Sequence, residues 1–232
     1  MVFKLENVVP WGRSLANYRQ MFGLSDRDLT LNIVDCAGGP ASFNVEMQDL
    51  DRRGQDQKVI SCDPIYRFSA AEIKGRIEAT SPQIVQGLEE NRDRFVWQEV
   101  STPAELKTAR LAAMALFLAD YDQGLEQGRY RNVELPSLPF SAGEFDLALC
   151  SHLLFTYSEQ FDTSFHLAAI QEMCRIAKEA RIFPLVENFT GETSQHLEPV
   201  INHLKQHGYV LEIRAVPYEF QKNGNEMLVV SQ

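Results

Sequence analysis

The segment Leu29–Ser42, LTLNIVDCAGGPAS, constrains this chain more than any other stretch. Leu31, Ile33 and Val34 lead into Asp35 and then directly into Cys36-Ala37-Gly38-Gly39-Pro40. That is the pattern of a strand whose carboxyl end lets a ligand approach the backbone. Glycine suits the position because a side chain would block the approach or forbid the dihedrals it needs. In open α/β sheets ligands bind outside the carboxyl ends of the strands. The rest of the chain is therefore read as strands beside this one and helices covering them, and the turn is the first place to look for a cofactor.

The flanking segments support that frame. Ser42 to Arg53 carries Phe43, Val45, Met47 and Leu50 as a helix closed by Gly54, and Lys58 to Asp63 is a second strand ending in an acid. From the glycine pair to Asp63 is the strand–helix–strand interval at which nucleotide-binding folds place a ribose-binding carboxylate. A carboxylate accepts hydrogen bonds from both ribose hydroxyls; the plainer reading of Asp63 is an acid that ends a strand. Upstream, Ser14 caps a short helix with Leu15, Tyr18, Met21 and Phe22, stopped by Gly23. Pro10-Trp11-Gly12-Arg13 is either a packed arm or an arm folded over the cofactor, with Arg13 pairing an anionic group.

From Ser69 to Arg131 the pattern is helical, with start signals at Ser81-Pro82 and Thr102-Pro103-Ala104-Glu105. Leu111 to Ala119 is apolar on every side and is expected to be buried nearly all round. One crossover helix does not need so many residues, so an inserted helical segment over about 80–128 either braces the sheet edge or roofs the site. Strands resume at Asn132–Leu135, Leu138–Phe140 and Glu144–Ser151. Phe165–Ala180 reads as a helix, and Arg181–Val186 as a strand with Pro184 at a bulge or edge. A helix over Ser194–His207 is followed by strands Tyr209–Val216 and Glu226–Val230, joined through Lys222–Asn225 as an antiparallel hairpin.

At 232 residues one well-buried domain spanning the chain is expected. A net charge of -10 argues against a surface made for phosphate backbones, so nucleic acid is not expected as a partner. The longest apolar run falls far short of the roughly 20 residues that cross a bilayer. No CxxC pair occurs among Cys36, Cys62, Cys150 and Cys174, and the N-terminus lacks a signal-peptide core; a cytoplasmic location is the default.

Taken together these motifs resemble the class I S-adenosylmethionine-dependent methyltransferases, from Leu29 to the end without the insert. The matching residues are Asp35-Cys36-Ala37-Gly38-Gly39-Pro40-Ala41 after the first strand, Asp63 after the second, Glu134 ahead of Leu138-Pro139-Phe140, and Phe145-Asp146 to Cys150-Ser151-His152. The closing hairpin also fits, because the family sheet has one reversed strand near its edge. Ala37 and Ala41 stand where members usually carry glycine. Pro10–Ser14, GGPASFN and CDPIY further resemble an uncharacterised bacterial branch. The resemblance implies a Rossmann-like α/β fold with a mostly parallel seven-stranded sheet. It also implies S-adenosylmethionine held by Asp35, Ala37, Gly38, Gly39 and Pro40 in the turn, and by Asp63, Pro64 and Ile65 after the second strand. Glu134 and Leu135, Cys150 and Ser151, and Arg13 from the arm complete the expected cofactor residues.

Methyl transfer needs a base only for poor nucleophiles. His152 is the candidate for base or substrate contact, with Tyr157 beside it as a catalytic or wall residue, Tyr66 as another wall, and Glu187-Asn188 as a second site-facing loop. The alternative for His152 is a loop-forming hydrogen bond to backbone. Cys36, Cys62 and Cys150 are expected side by side at strand ends, as buried core residues rather than zinc ligands. His196, His203 and His207 are expected to form a solvated helix face, and no metal site is expected. The expected activity is methyl transfer to a small molecule, with no membrane partner and a homodimer as an open option. Methylation of nucleobase or amide nitrogens is disfavoured, because no asparagine-proline motif follows the fourth strand. The rival readings are a non-catalytic protein that keeps the fold and an NAD-dependent oxidoreductase, the latter disfavoured by the missing third glycine and the hairpin.

Overall fold

The structure is a computed structural model that describes residues 9–51, 58–98 and 100–232. Its centre is a seven-stranded sheet. The strands are β1 (Ile33–Cys36), β2 (Val59–Cys62), β3 (Tyr130–Arg131), β4 (Phe145–Ser151), β5 (Ala177–Phe183), β6 (Val210–Ala215) and β7 (Glu226–Ser231), in the order β3-β2-β1-β4-β5-β7-β6. All run parallel except β7, which is antiparallel to both neighbours. A parallel sheet must be covered on both faces, which is why β1 and β2 are buried at every position.

One face packs on α5 (Thr163–Ile176) and α6 (Leu197–Gln206), where Ala169, Ile170, Met173, Val200 and Leu204 meet Val34, Ile60, Ala148, Ile182 and Leu228. The other packs on α1 (Leu15–Met21) and α2 (Phe43–Asp51), where Tyr18, Met21, Phe43 and Met47 meet Ile33, Val59, Leu149 and Val229. Ser14 and Asn17 form a reciprocal cap that starts α1. Tyr18 stacks on Phe43 at 4.2 Å and joins the two helices.

Two long helices, α3 (Ala70–Glu90) and α4 (Pro103–Glu126), lie between β2 and β3 and pack on each other. A buried ion pair, Arg129 with Asp120 at 2.7 Å, pins α4 to the β3 edge, and Arg129 also reaches Asn44 of α2 at 2.8 Å. Among the described residues no helix is long and apolar enough to cross a membrane.

Several expectations need correction. Ser81-Pro82 starts no helix: α3 begins at the Ser69 cap and runs through Pro82, with Ile73, Ile77, Ile84 and Leu88 on one buried side. Ser81 Oγ donates to the Ile77 carbonyl instead of capping. Thr102 does cap α4, but Glu105 reaches back to the Ser101 amide rather than closing the box on Thr102. Leu111–Ala119 is not enclosed all round, for Leu116 is 53% exposed. Leu29–Leu31 lies before β1, largely in a 3-10 turn over Asp28–Thr30. Residues 132–140 form turns with one bridge, Glu134 to Ser137, rather than strands. Helix α5 stops at Ile176, and Ala177–Ala180 belong to β5 because Phe145 of β4 pairs with Ala177 in parallel register. Pro184 therefore follows β5 instead of interrupting it. Gly54 lies outside the described residues.

Candidate functional site

The carboxyl ends of β1, β2, β4 and β5 open into one cavity of about 1340 Å³. Drug-sized ligand pockets run to about 1,000 Å³, so two small molecules fit side by side. The floor at one end is the glycine turn. Ala37 and Gly39 both adopt left-handed backbone, with φ of 60° and 54°. A Cβ on Gly38 would lie 2.3 Å from Asp35 Oδ2, so only glycine lets the turn fold down on that carboxylate. Asp35 itself is 1% exposed and faces away from the cavity, held by the Tyr18 hydroxyl at 3.0 Å and Ser61 Oγ at 3.1 Å. Burial pushes its carboxyl up to about 7, against those two hydrogen bonds and with help from Asp63.

Asp63 lines the cavity beside the turn. One oxygen accepts from the Ile65 amide at 2.8 Å and the other from the Gly39 amide at 3.0 Å, which ties the turn after β1 to the loop after β2. Each oxygen keeps a second lone pair for a ligand hydroxyl. Burial raises Asp63 to about 6, opposed by the two amides and supported by Glu134.

The N-terminal arm presses against the turn. A Cβ on Gly12 would sit 2.1 Å from the Pro40 carbonyl oxygen, and Arg13 gives its carbonyl to the Ser42 amide at the start of α2. Arg13 consequently points into the cavity, where it meets Arg110 of α4 and Tyr218 from the β6–β7 connection. Arg110 donates to Tyr218 Oη at 2.8 Å and to Asn17 Oδ1 at 2.7 Å. Burial, then Arg110, pushes Arg13 down to about 10. Tyr218 is lowered despite burial, because both guanidiniums outweigh it.

His152 follows β4 with a left-handed φ of 54°, a conformation that non-glycine residues hold only where the surroundings enforce it. Its amide bonds the Phe183 carbonyl at 2.7 Å, and Nδ1 lies 2.8 Å from Ser151 Oγ. Burial first, then Arg13 and Arg110, hold its pKa well below the usual value, so the ring is neutral. Tyr157 also lines the cavity; its hydroxyl accepts from the Val9 amide at 3.3 Å, and burial raises it.

The structure thus brings together at the cavity Arg13, Ala37, Gly38, Gly39, Pro40, Asp63, Pro64, Ile65, Glu134, Leu135, Ser151, His152 and Tyr157. Asp35 and Cys150 are not at its surface: both side chains are buried beneath it, Asp35 serving to hold the turn from below. Tyr66 is no wall either, as it packs among Phe117, Tyr121 and Tyr130 and donates to the Gly39 carbonyl at 2.7 Å. Asn188 reaches the cavity and Glu187 does not. Cys36 pairs in register with Cys62 on one side and Cys150 on the other, and burial raises all three thiols, the last two to about 12. Among the described residues no group of three His, Cys, Asp or Glu could hold a metal ion.

His196 departs from the solvated reading, since it bridges Thr163 Oγ1 at 2.8 Å and the Ser158 carbonyl at 2.9 Å. Sequence reasoning missed Arg110, Tyr218 and Thr156, all cavity-lining, and His166, whose Nε2 accepts from the Phe155 amide at 3.0 Å and so fixes the loop after β4. Arg110 had a signal: it sits four residues from both Leu106 and Met114 on the buried stripe of α4. The other three had none.

No family model matches the chain. Among solved structures, it is similar to the magnesium protoporphyrin IX methyltransferase of Synechocystis PCC 6803 with bound S-adenosylhomocysteine (14% identical, TM-score 0.46, 94% of this chain and 84% of that one). It is also similar to a SAM-dependent methyltransferase from Aquifex aeolicus (14% identical, TM-score 0.42, 93% and 87%). Likeness at that level says nothing of substrate. The fold itself is a mixed seven-stranded α/β sheet with one reversed strand next to its edge, the arrangement that the sequence resemblance implied. In sequence the chain is 31% identical to the uncharacterized protein MJ0045 of Methanocaldococcus jannaschii over 229 residues, 97% of each chain. It belongs to the same family as that archaeal protein.

Proposed function

We propose that the protein is an S-adenosylmethionine-dependent methyltransferase acting on a small molecule, and that the chain forms one domain around that site. The observation that carries this reading is one large cavity among the described residues, with a tied glycine turn and Asp63 at one end and His152 at the other. The residues fit the cofactor: Asp63 offers free lone pairs toward a ribose, Glu134 and Leu135 stand beside it, and Ala37 to Pro40 form a floor with backbone accessible at Gly38 and Gly39. Asp35 supports that floor from beneath, and Cys150 lies buried in β4 beside Cys36. Arg13 offers a guanidinium to an anionic group of a bound ligand. The resemblance to a bacterial branch stands as part of this proposal.

S-adenosylmethionine supplies an electrophilic methyl group on a sulfonium. The chain's own contribution is to hold donor and acceptor in line inside a walled cavity, which is where most of the rate enhancement of such a displacement comes from. Phe161, Phe165 and Phe183 line the acceptor end and exclude water there. His152, being neutral, can take a proton from an attacking hydroxyl in the tautomer whose Nδ1–H donates to Ser151 Oγ and leaves Nε2 bare. Tyr157 stays a neutral phenol and tethers the arm to the loop after β4. The test is transfer of a labelled methyl group from S-adenosylmethionine to a panel of small hydroxyl, thiol and carboxyl compounds. Transfer to one of them, lost in Asp63→Ala, supports the reading; S-adenosylmethionine left intact by every acceptor, in a protein that binds it, favours a non-catalytic role.

A further inference from the structure

The chain carries 32 acidic residues against 22 Lys and Arg, yet two arginines in the cavity, Arg13 and Arg110, have no acidic partner among the described residues. Elsewhere several buried or half-buried arginines are matched: Arg129 with Asp120, Arg181 with Asp28 and Glu179, Arg175 with Glu172. Arg110 is 4% exposed and bonds only neutral groups, Asn17 and Tyr218. Arg13 bonds the Trp11 carbonyl at 3.2 Å and lies beside Tyr218. Three buried polar atoms on these walls, Arg13 Nε, Arg110 Nε and Thr156 Oγ1, have no hydrogen-bond partner among the described residues. Two like charges brought together in a water-poor pocket with unused donors are costly unless an anion joins them. Guanidinium forks match the oxygen pairs of carboxylate and phosphate.

We propose that Arg13 and Arg110, on either side of Tyr218, bind a carboxylate or phosphate group carried by the methyl acceptor. This rests on the methyltransferase reading of the cavity. The acceptor is the source because the cluster adjoins His152 after β4 and Phe183 at the end of β5, whose ring meets Tyr218 at 5.7 Å. Asp63 and Glu134 lie at the other end, after β2 and β3. Trp11, Phe161 and Phe165 add apolar walls, so the acceptor is a flat or apolar body with one acidic group. Burial is the first cause that holds His152 low; once bound, the anion offsets the smaller part contributed by Arg13 and Arg110, so an acidic acceptor raises the basicity of the ring that deprotonates it.

The experiment titrates the full chain with sodium benzoate, inorganic phosphate and neutral benzamide at ionic strength matched with sodium chloride. Calorimetry and thermal melting are read with and without S-adenosylhomocysteine. We expect benzoate or phosphate to bind and raise the melting temperature beyond chloride, benzamide to do neither, and Arg13→Gln and Arg110→Gln each to weaken anion binding at least tenfold. Arg110→Lys keeps the charge without the fork and falls between; if Arg110→Gln does not fold, Arg13→Gln decides, since that side chain bonds its own arm at Trp11 and adjoins Tyr218 but bridges no helix as Arg110 does. Absence of binding by both anions, or binding unchanged in the folded variants, overturns the proposal. A second arm uses 5′-methylthioadenosine, which lacks the amino-acid carboxylate. If the variants weaken S-adenosylhomocysteine tenfold but not this nucleoside, the anion belongs to the cofactor and the acceptor assignment is wrong. Anion binding by a protein that gives no heat with either nucleoside would instead sink the methyltransferase reading alone.

Discussion

The two ends of the cavity handle charge in opposite ways. At the turn end, Asp35 and Asp63 are satisfied from within the chain, by Tyr18 and Ser61 in one case and by two backbone amides in the other. At the far end, Arg13 and Arg110 have only neutral partners among the described residues, and each leaves a buried Nε unused. The first end is pre-organised before any ligand arrives, and its shape depends on internal hydrogen bonds. The second is completed only by what it binds. Changes at the turn end should therefore alter stability and nucleoside affinity together, whereas Arg13→Gln should alter anion affinity and leave nucleoside affinity nearly unchanged.

The largest separation is expected from Asp63→Ala. Losing a charged hydrogen-bonding group costs about 1.5–3 kcal/mol. S-adenosylhomocysteine affinity measured by calorimetry should fall about 10- to 100-fold while benzoate affinity stays within twofold. Unchanged nucleoside affinity in a folded variant would erase the distinction between the ends. Gly38→Ala comes next. Its Cβ would meet Asp35 Oδ2 at 2.3 Å, so the turn must shift. Denaturant unfolding should show a loss of about 2 kcal/mol, and nucleoside binding should weaken with it.

Asp35→Asn is a smaller effect that pH makes visible. The folded carboxyl is pushed up to about 7 by burial, so it holds a proton that the unfolded chain has already released. Between about pH 4 and 7 the native state then binds more protons, and stability falls as pH rises. The variant should lose the Asp35 share of that slope, while Asp63, raised to about 6, keeps its own. His152 and His166, both held below their usual value, act with the opposite sign beneath it, so the difference between wild type and variant is the quantity to follow. Smallest is Ala37→Gly, which relieves a left-handed alanine at a cost in unfolded-chain entropy. Its net gain should be under about 1 kcal/mol, seen as a slightly higher urea midpoint.

Much of the turn end was legible in the sequence because it is local. Strand, acid, glycine turn, helix and second acid follow one another from Ile33 to Asp63, and each signal concerns neighbours in the chain. The Ser14 and Thr102 caps were legible for the same reason. The far end was not, because its members come from the arm, from α4 and from the β6–β7 connection, and Arg110 and Tyr218 stand 108 residues apart. No spacing rule links them. Two element boundaries failed where tertiary pairing overrode local preference. Ala177-Lys178-Glu179-Ala180 favours helix on propensity but is held as strand by β4 and β7. Pro82 looks like a start but is carried inside α3 by packing on both sides of it.

The central claim is that the turn end is a nucleoside site for a sulfonium cofactor. Isothermal titration calorimetry of the purified chain with S-adenosylmethionine, S-adenosylhomocysteine and NAD tests it most directly. Micromolar binding of the first two, worth about 8 kcal/mol, with no heat from NAD, is the predicted result. A folded protein that binds neither, or that binds NAD alone, contradicts it.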